Sequence, residues 1–369
     1  MTDGLAGAGD RFAQWGRWPA RLLLAAIAAM VLAAALVPIK AADQPYSTAG
    51  FVANVTGEKV AGAERPRDHD LALYDTVIER IGRGENYYAV AAEEHRRSDY
   101  PLRPGFAVRL PTLAYIDMLL GEWGQMAAAI VLMCAVLWAW WQRLGDEQVS
   151  ARTRRLGTTL IFFGAALGLN RYYFVLHELW AGQLLALSLG LHRPGKRWLG
   201  ALAAAALALA IREHALPYVL LMGAFALWRG DRKEFLAWGA LAGAFLGGMA
   251  VHLHMVAQHV LPSDAMGPSW LALRGLSGWL SNVVLSSNLR FLPHYLAGPL
   301  VILAVLGWAG WKRELGAFAT LLYLGYGLVF MVVGRPDNFY WGAMIAPAMF
   351  AGLAFTPRAL GSLWRAAKA

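Results

Sequence analysis

Apolar residues in this chain come in runs rather than at alternating positions. The first covers 21–39. Others follow at 123–142, 157–170, 178–191, 198–211, 215–228, 235–258, 296–311, 316–334 and 339–356. Ten such runs, separated by short polar connections, predict helices throughout and no sheet. A run of about 20 apolar residues spans a bilayer core. The pattern therefore predicts an all-α polytopic membrane protein with about ten transmembrane helices, a single transmembrane unit over 1–369. The first run follows Trp15 and Trp18 and ends at Pro38-Ile39-Lys40, with no small-residue cleavage pattern; it reads as a retained first helix.

Composition supports this picture. The chain is 58% hydrophobic and only 15% charged, against about 25% charged in ordinary globular domains. Its single cysteine, Cys134, excludes an intrachain disulfide. The net charge of +9 has a topological explanation, so no nucleic-acid partner is expected. With a cytoplasmic N-terminus, the connections 143–156, 192–197, 229–234, 312–315 and the tail 357–369 fall on one side. Together with the N-terminus they carry eighteen of the thirty-three Lys and Arg. Trp138, Trp140, Trp141, Trp198, Trp228, Trp238, Trp308, Trp311 and Trp364 then form an aromatic belt on that side. The expected location is a bacterial inner membrane with both termini cytoplasmic. Two long segments, 40–121 and 259–295, lie outside. The Gly239–Gly248 stretch predicts close helix packing.

Several runs are short. A helix of 14 residues reaches about 21 Å, against a bilayer core of about 30 Å. Polar elbows join them: Asn170-Arg171-Tyr172-Tyr173 leading to His177-Glu178, then Arg212-Glu213-His214, and later Gly334-Arg335-Pro336-Asp337-Asn338. Polar groups at membrane depth need a protein-lined or wet cavity, so the elbows predict a hollow opening outward. Arg212 paired with Glu178 or Glu213 is the competing structural account. In the first outward segment, Leu71, Tyr74, Val77, Ile78 and Ile81 recur at helical spacing up to Gly82, with Asp70 as cap. A second helix runs from Asn86 through Ala92. The triplet Asp68-His69-Asp70 is poor metal-binding material, because neighbours on an extended chain face opposite ways; no metal or other cofactor is expected. The histidines of the 235–258 run show no i, i+4 zinc pair.

Asp70, Tyr74, Gly84, Tyr87, Tyr88, Tyr100 and Pro101, with the Glu178 and Arg212 elbows, resemble the GT-C superfamily of membrane glycosyltransferases, nearest to its polyprenyl-phosphomannose-dependent branch. The resemblance covers about 1–230, and its motifs are degenerate. It implies a polyprenyl-phosphate sugar donor, a lipid or glycan acceptor and inverting transfer on the extracytoplasmic side. Asp70 would be the base, with Asp68 second and Asp43 a further rival. Arg212 and Arg335 would hold the leaving phosphate, with Arg171, Arg290, His214 and His294 behind them. Tyr87, Tyr88, Glu178, Glu213, Asn338 and Tyr340 would complete the substrate site. A secondary transporter or lipid-linked-sugar flippase is the alternative, and a membrane scaffold a third class.

Overall fold

A computed structural model describes residues 10–39 and 67–369. Asp43 lies outside them. The helices used below are α1 (Arg17–Leu36), α2 (His69–Gly82), α3 (Tyr87–Arg97), α4 (Thr112–Asp146), α5 (Ala151–Ala165), α6 (His177–Leu191), α7 (Leu199–Ile211), α8 (Leu216–Trp228), α9 (Arg232–Ala257), α10 (Gly275–Leu285), α11 (His294–Gly310), α12 (Glu314–Val332) and α13 (Thr356–Lys368). An irregular helical stretch over 336–354 precedes α13.

Among the described residues, four helical segments are long and apolar enough to cross a membrane, not ten: Arg17–Leu36, Gly105–Asp146, Arg232–Ala257 and Glu314–Val332. This corrects the ten-span architecture and the inner-membrane topology built on it. The physical reason is plain in α6. Every residue of that helix except Leu187 and Leu191 is buried by other protein segments. A helix that is apolar all round is surrounded by something apolar, and here the surroundings are neighbouring helices. The 178–191 run is a central helix, and its length needs no bilayer to explain it.

Other expectations change for the same reason. Trp140, Trp238, Trp308 and Trp311 are core residues rather than members of a surface belt. Their indole N–H groups donate inward, to Ala186 O, Glu234, Met349 O and Glu147 respectively. The exposed tryptophans include Trp138, Trp228 and Trp364. Gly239, Gly243, Gly247 and Gly248 on α9 face open space instead of a packed neighbour. Segment 259–295 holds α10, buried from Gly278 to Leu285.

Close backbone contact fixes the 336–354 stretch. A Cβ at Gly182 on α6 would strike the Ala343 carbonyl, and one at Gly342 would strike the Asn282 carbonyl on α10. Only glycine lets those segments touch. In α4 the helix is broken at Gly121, whose φ of 59° lies in the left-handed region.

The polar connections separate into two groups. Residues around 143–147, 192–193, 229–234 and 311–314 are linked by ion pairs and hydrogen bonds at one end of the helices. The elbows near 170–178, 212–214 and 335–340 meet α2 at the other.

Candidate functional site

The site is assembled from five places. The pair α2–α3 forms a cover, buried on Leu73, Val77, Ile81, Val90 and Ala114. Asn86 starts α3 as a true cap, its side chain accepting from the Tyr88 and Ala89 N–H groups. Helix α2 begins two residues earlier than its sequence suggests. Asp68, not Asp70, is the boundary residue, and its side chain makes no capping bond.

Asp70 therefore stands in the first turn with its carboxylate free for another role, and the Tyr100 hydroxyl donates to it. Asp68 sits beside Tyr172, its backbone N–H donating to the Tyr172 hydroxyl at 3.2 Å. Burial, and then the hydrogen bond to Asp70, push the Tyr100 phenol well above its ordinary value.

Beneath the cover lie two arginines with different surroundings. Arg212, 1% exposed, places Nε 2.7 Å from Glu178 and Nη1 2.5 Å from Glu213. Both carboxylates are engaged by one guanidinium, so the competing structural account of this elbow is the observed one. Burial alone would raise both carboxyls. Arg212 outweighs it, with Arg109 and His214 assisting, and holds Glu178 low and Glu213 at about 2.

Arg109, by contrast, makes no ion pair among the described residues. Its Nε donates to the Tyr74 hydroxyl at 3.1 Å and its Nη2 to the Tyr340 hydroxyl at 3.4 Å. Asn338 donates to the same Tyr340 oxygen at 3.3 Å. Burial raises Tyr74 and Tyr340, so both phenols are neutral at pH 7 and neither balances the charge.

Two imidazoles complete the group. His214 lies tilted against Trp341, ring centroids 4.6 Å apart, and is 3.9 Å from Glu213. His177 lies against Tyr74 at 5.5 Å, and neither of its ring nitrogens has a hydrogen-bond partner among the described residues. Burial lowers both to about 4, with the arginines pushing the same way. Each is neutral at pH 7.

The structure thus brings together Asp70, Glu178, Arg212, Glu213, His214, Asn338 and Tyr340. Tyr87 lines the cleft as well, its hydroxyl donating to Arg109 O at 2.7 Å. Other proposed contacts lie elsewhere. Tyr88 meets His252 at 3.3 Å and fastens the cover to α9. Arg171 is exposed and paired with Glu122 at 2.5 Å. Arg335 is 3.3 Å from Asp337. His294 is exposed at the start of α11 beside Tyr295.

Arg109, His177 and Asp117 were missed by sequence reasoning. All three line a narrow cleft with Tyr74, Leu73 and Leu113. Asp117 carried an available signal, a lone acid between Ile116 and Met118 in an apolar stretch.

Compared with models of known families, with curated proteins and with solved structures, the chain matches none. The GT-C resemblance is therefore corrected: no matching glycosyltransferase supports it, and the span count departs from it. The sugar-transfer reading and its transporter or flippase alternative both rested on ten spans and fall with them.

Proposed function

We propose that this end of the molecule binds an anionic, partly apolar ligand. Arg109 is the anion seat, and Asp70 is the acceptor for a proton from a ligand hydroxyl. The observation that carries this reading is the contrast between the two arginines. Arg212 holds both Glu178 and Glu213 within ion-pair distance, while Arg109 hydrogen-bonds only to two phenols and feels those carboxylates at longer range. A guanidinium withdrawn from water without a contacting counter-charge is costly. An incoming carboxylate or phosphate relieves that cost with two parallel hydrogen bonds.

Apolar residues supply the rest of the complement. Leu73, Val77, Ile78, Leu113 and Val175 line the cleft beside Arg109. Exposed apolar side chains such as Leu119 and Trp123 lie close by on α4, and an amphiphile from a lipid phase can approach across such a face. As an enzyme, the arrangement serves group transfer: a carboxylate takes a proton while a cation stabilises a departing anion.

The test is binding of dodecyl phosphate to the purified protein, followed by calorimetry, with dodecyl maltoside as the uncharged control. Arg109→Met should weaken dodecyl phosphate binding by about tenfold or more, the worth of a charge-assisted bond. Equal binding of both amphiphiles, unchanged in Arg109→Met, overturns the reading.

A further inference from the structure

The anion seat leaves part of the cleft unexplained. Asp117, on the short arm of α4 before Gly121, is 1% exposed, and neither carboxylate oxygen has a hydrogen-bond partner among the described residues. His177, 4% exposed, faces the same cleft with both ring nitrogens unpartnered. Buried polar groups are nearly always satisfied, so two orphaned side chains on one cleft define the complement of something that enters it.

The nearby charges narrow the choice. Asp75 is already held by Arg67 through two hydrogen bonds, at 2.6 and 3.0 Å. Arg109 lies on the cleft wall without an ion pair, yet it makes none with Asp117. The remaining wall is apolar. One cleft therefore presents a cation with no carboxylate in contact and an acid with no hydrogen-bond partner, separated by more than a salt-bridge distance. The cleft as a whole has free room of about 10 Å³, about that of one water. An ammonium group has the same size.

We propose that the ligand is zwitterionic, carrying a primary ammonium as well as its anion. The anion rests on Arg109. The ammonium enters the small space, donates to the Asp117 carboxylate, and gives a further N–H to a neutral His177 nitrogen. A hydroxyl in the same place offers one donor, which leaves most of these acceptors unmet. The inference rests on the anion-site reading and adds the amine to it. A lipid headgroup and a free amino-phosphate share this chemistry.

The experiment compares four probes on the purified protein: dodecyl phosphate, its ethanolamine diester, its choline diester and free phosphoethanolamine. The ethanolamine diester should bind about tenfold or more tighter than dodecyl phosphate, as a charge-assisted bond implies. The choline diester should lose that gain, because its methyl groups exceed the room and offer no N–H. Asp117→Asn should abolish the ethanolamine preference while Arg109-dependent dodecyl phosphate binding persists; a thermal melt checks that the variant folds. Comparable binding of free phosphoethanolamine assigns a soluble zwitterion, and tail-dependent binding assigns a headgroup; both support the amine site.

Arg109-dependent binding of dodecyl phosphate with no ethanolamine preference overturns the zwitterion and leaves the anion seat standing. A preference that survives Asp117→Asn also overturns it. A preference abolished by Asp117→Asn but indifferent to Arg109→Met keeps the amine site and overturns the anion seat. Failure of every probe overturns both.

Discussion

The two ends of the helical assembly treat buried charge in opposite ways. At the Glu234 end the acid is fully buried yet well served: His192 at 2.7 Å, Arg229 at 2.8 Å and the Trp238 indole at 3.2 Å all approach it. Arg229 also pairs with Glu314, and Trp311 donates to Glu147 at 2.8 Å. At the Asp70 end, Arg212 has two carboxylates within ion-pair distance, but among the described residues Arg109 has no ion pair and Asp117 and His177 have no side-chain hydrogen bond. Proteins keep unmatched buried polarity where a ligand completes it. Buried charge alone therefore does not mark a site in this molecule; the balance left over after internal pairing does.

The contrast can be broken by substitution, starting with the matched groups. Glu234→Ala removes a shared partner from Arg229, His192 and Trp238 and should cost about 3–5 kcal/mol, read from equilibrium unfolding. Arg212→Met strands Glu178 and Glu213 and should cost about 3 kcal/mol or more; a stable variant would move Arg212 from a structural to a ligand-binding role. Gly182→Ala drives a methyl into the Ala343 backbone and should cost about 1–3 kcal/mol, shown by a lower melting temperature. Arg109→Met should cost less than about 1.5 kcal/mol, since only neutral partners lose a bond.

The smallest expected effect concerns pH. Burial lowers His95 and His177 to about 4 in the folded chain, against about 6.5 when unfolded. Between those values the unfolded chain binds more protons, so stability should fall as pH drops from 6.5 towards 4 and recover above 6.5. Melting temperatures across that window should show a shallower slope in His177→Phe than in the parent. An unchanged slope would remove His177 from the buried neutral set.

Local features of the fold were legible in the residues. Asn86, Ser150 and Asp231 each begin a helix and accept from a backbone N–H two or three positions on, a relation contained within four residues. What surrounds a helix is not local. The sequence of α6 records that its environment is apolar but not whether lipid or α4, α7 and the 336–354 stretch supply it. The same limit governs the site. Glu178 and Arg212 stood out because polar residues interrupt apolar runs there, and Asp70 because it reads as the start of a helix. Arg109 carries no such mark in the sequence, because its neutral partners Tyr74 and Tyr340 come from distant segments.

The break at Gly121 gives Asp117 a particular standing. Ala114 and Met118 on the arm before the break are packed with Leu73, Val77 and Tyr87, while the long shaft after it runs against α5 and α6. The arm thus belongs to the cover in its mechanics, though the chain joins it to the shaft. A motion lifting α2 and α3 would carry Asp117 along and leave His177 behind on α6, so that opening the entrance also pulls apart the pair that grips what has entered.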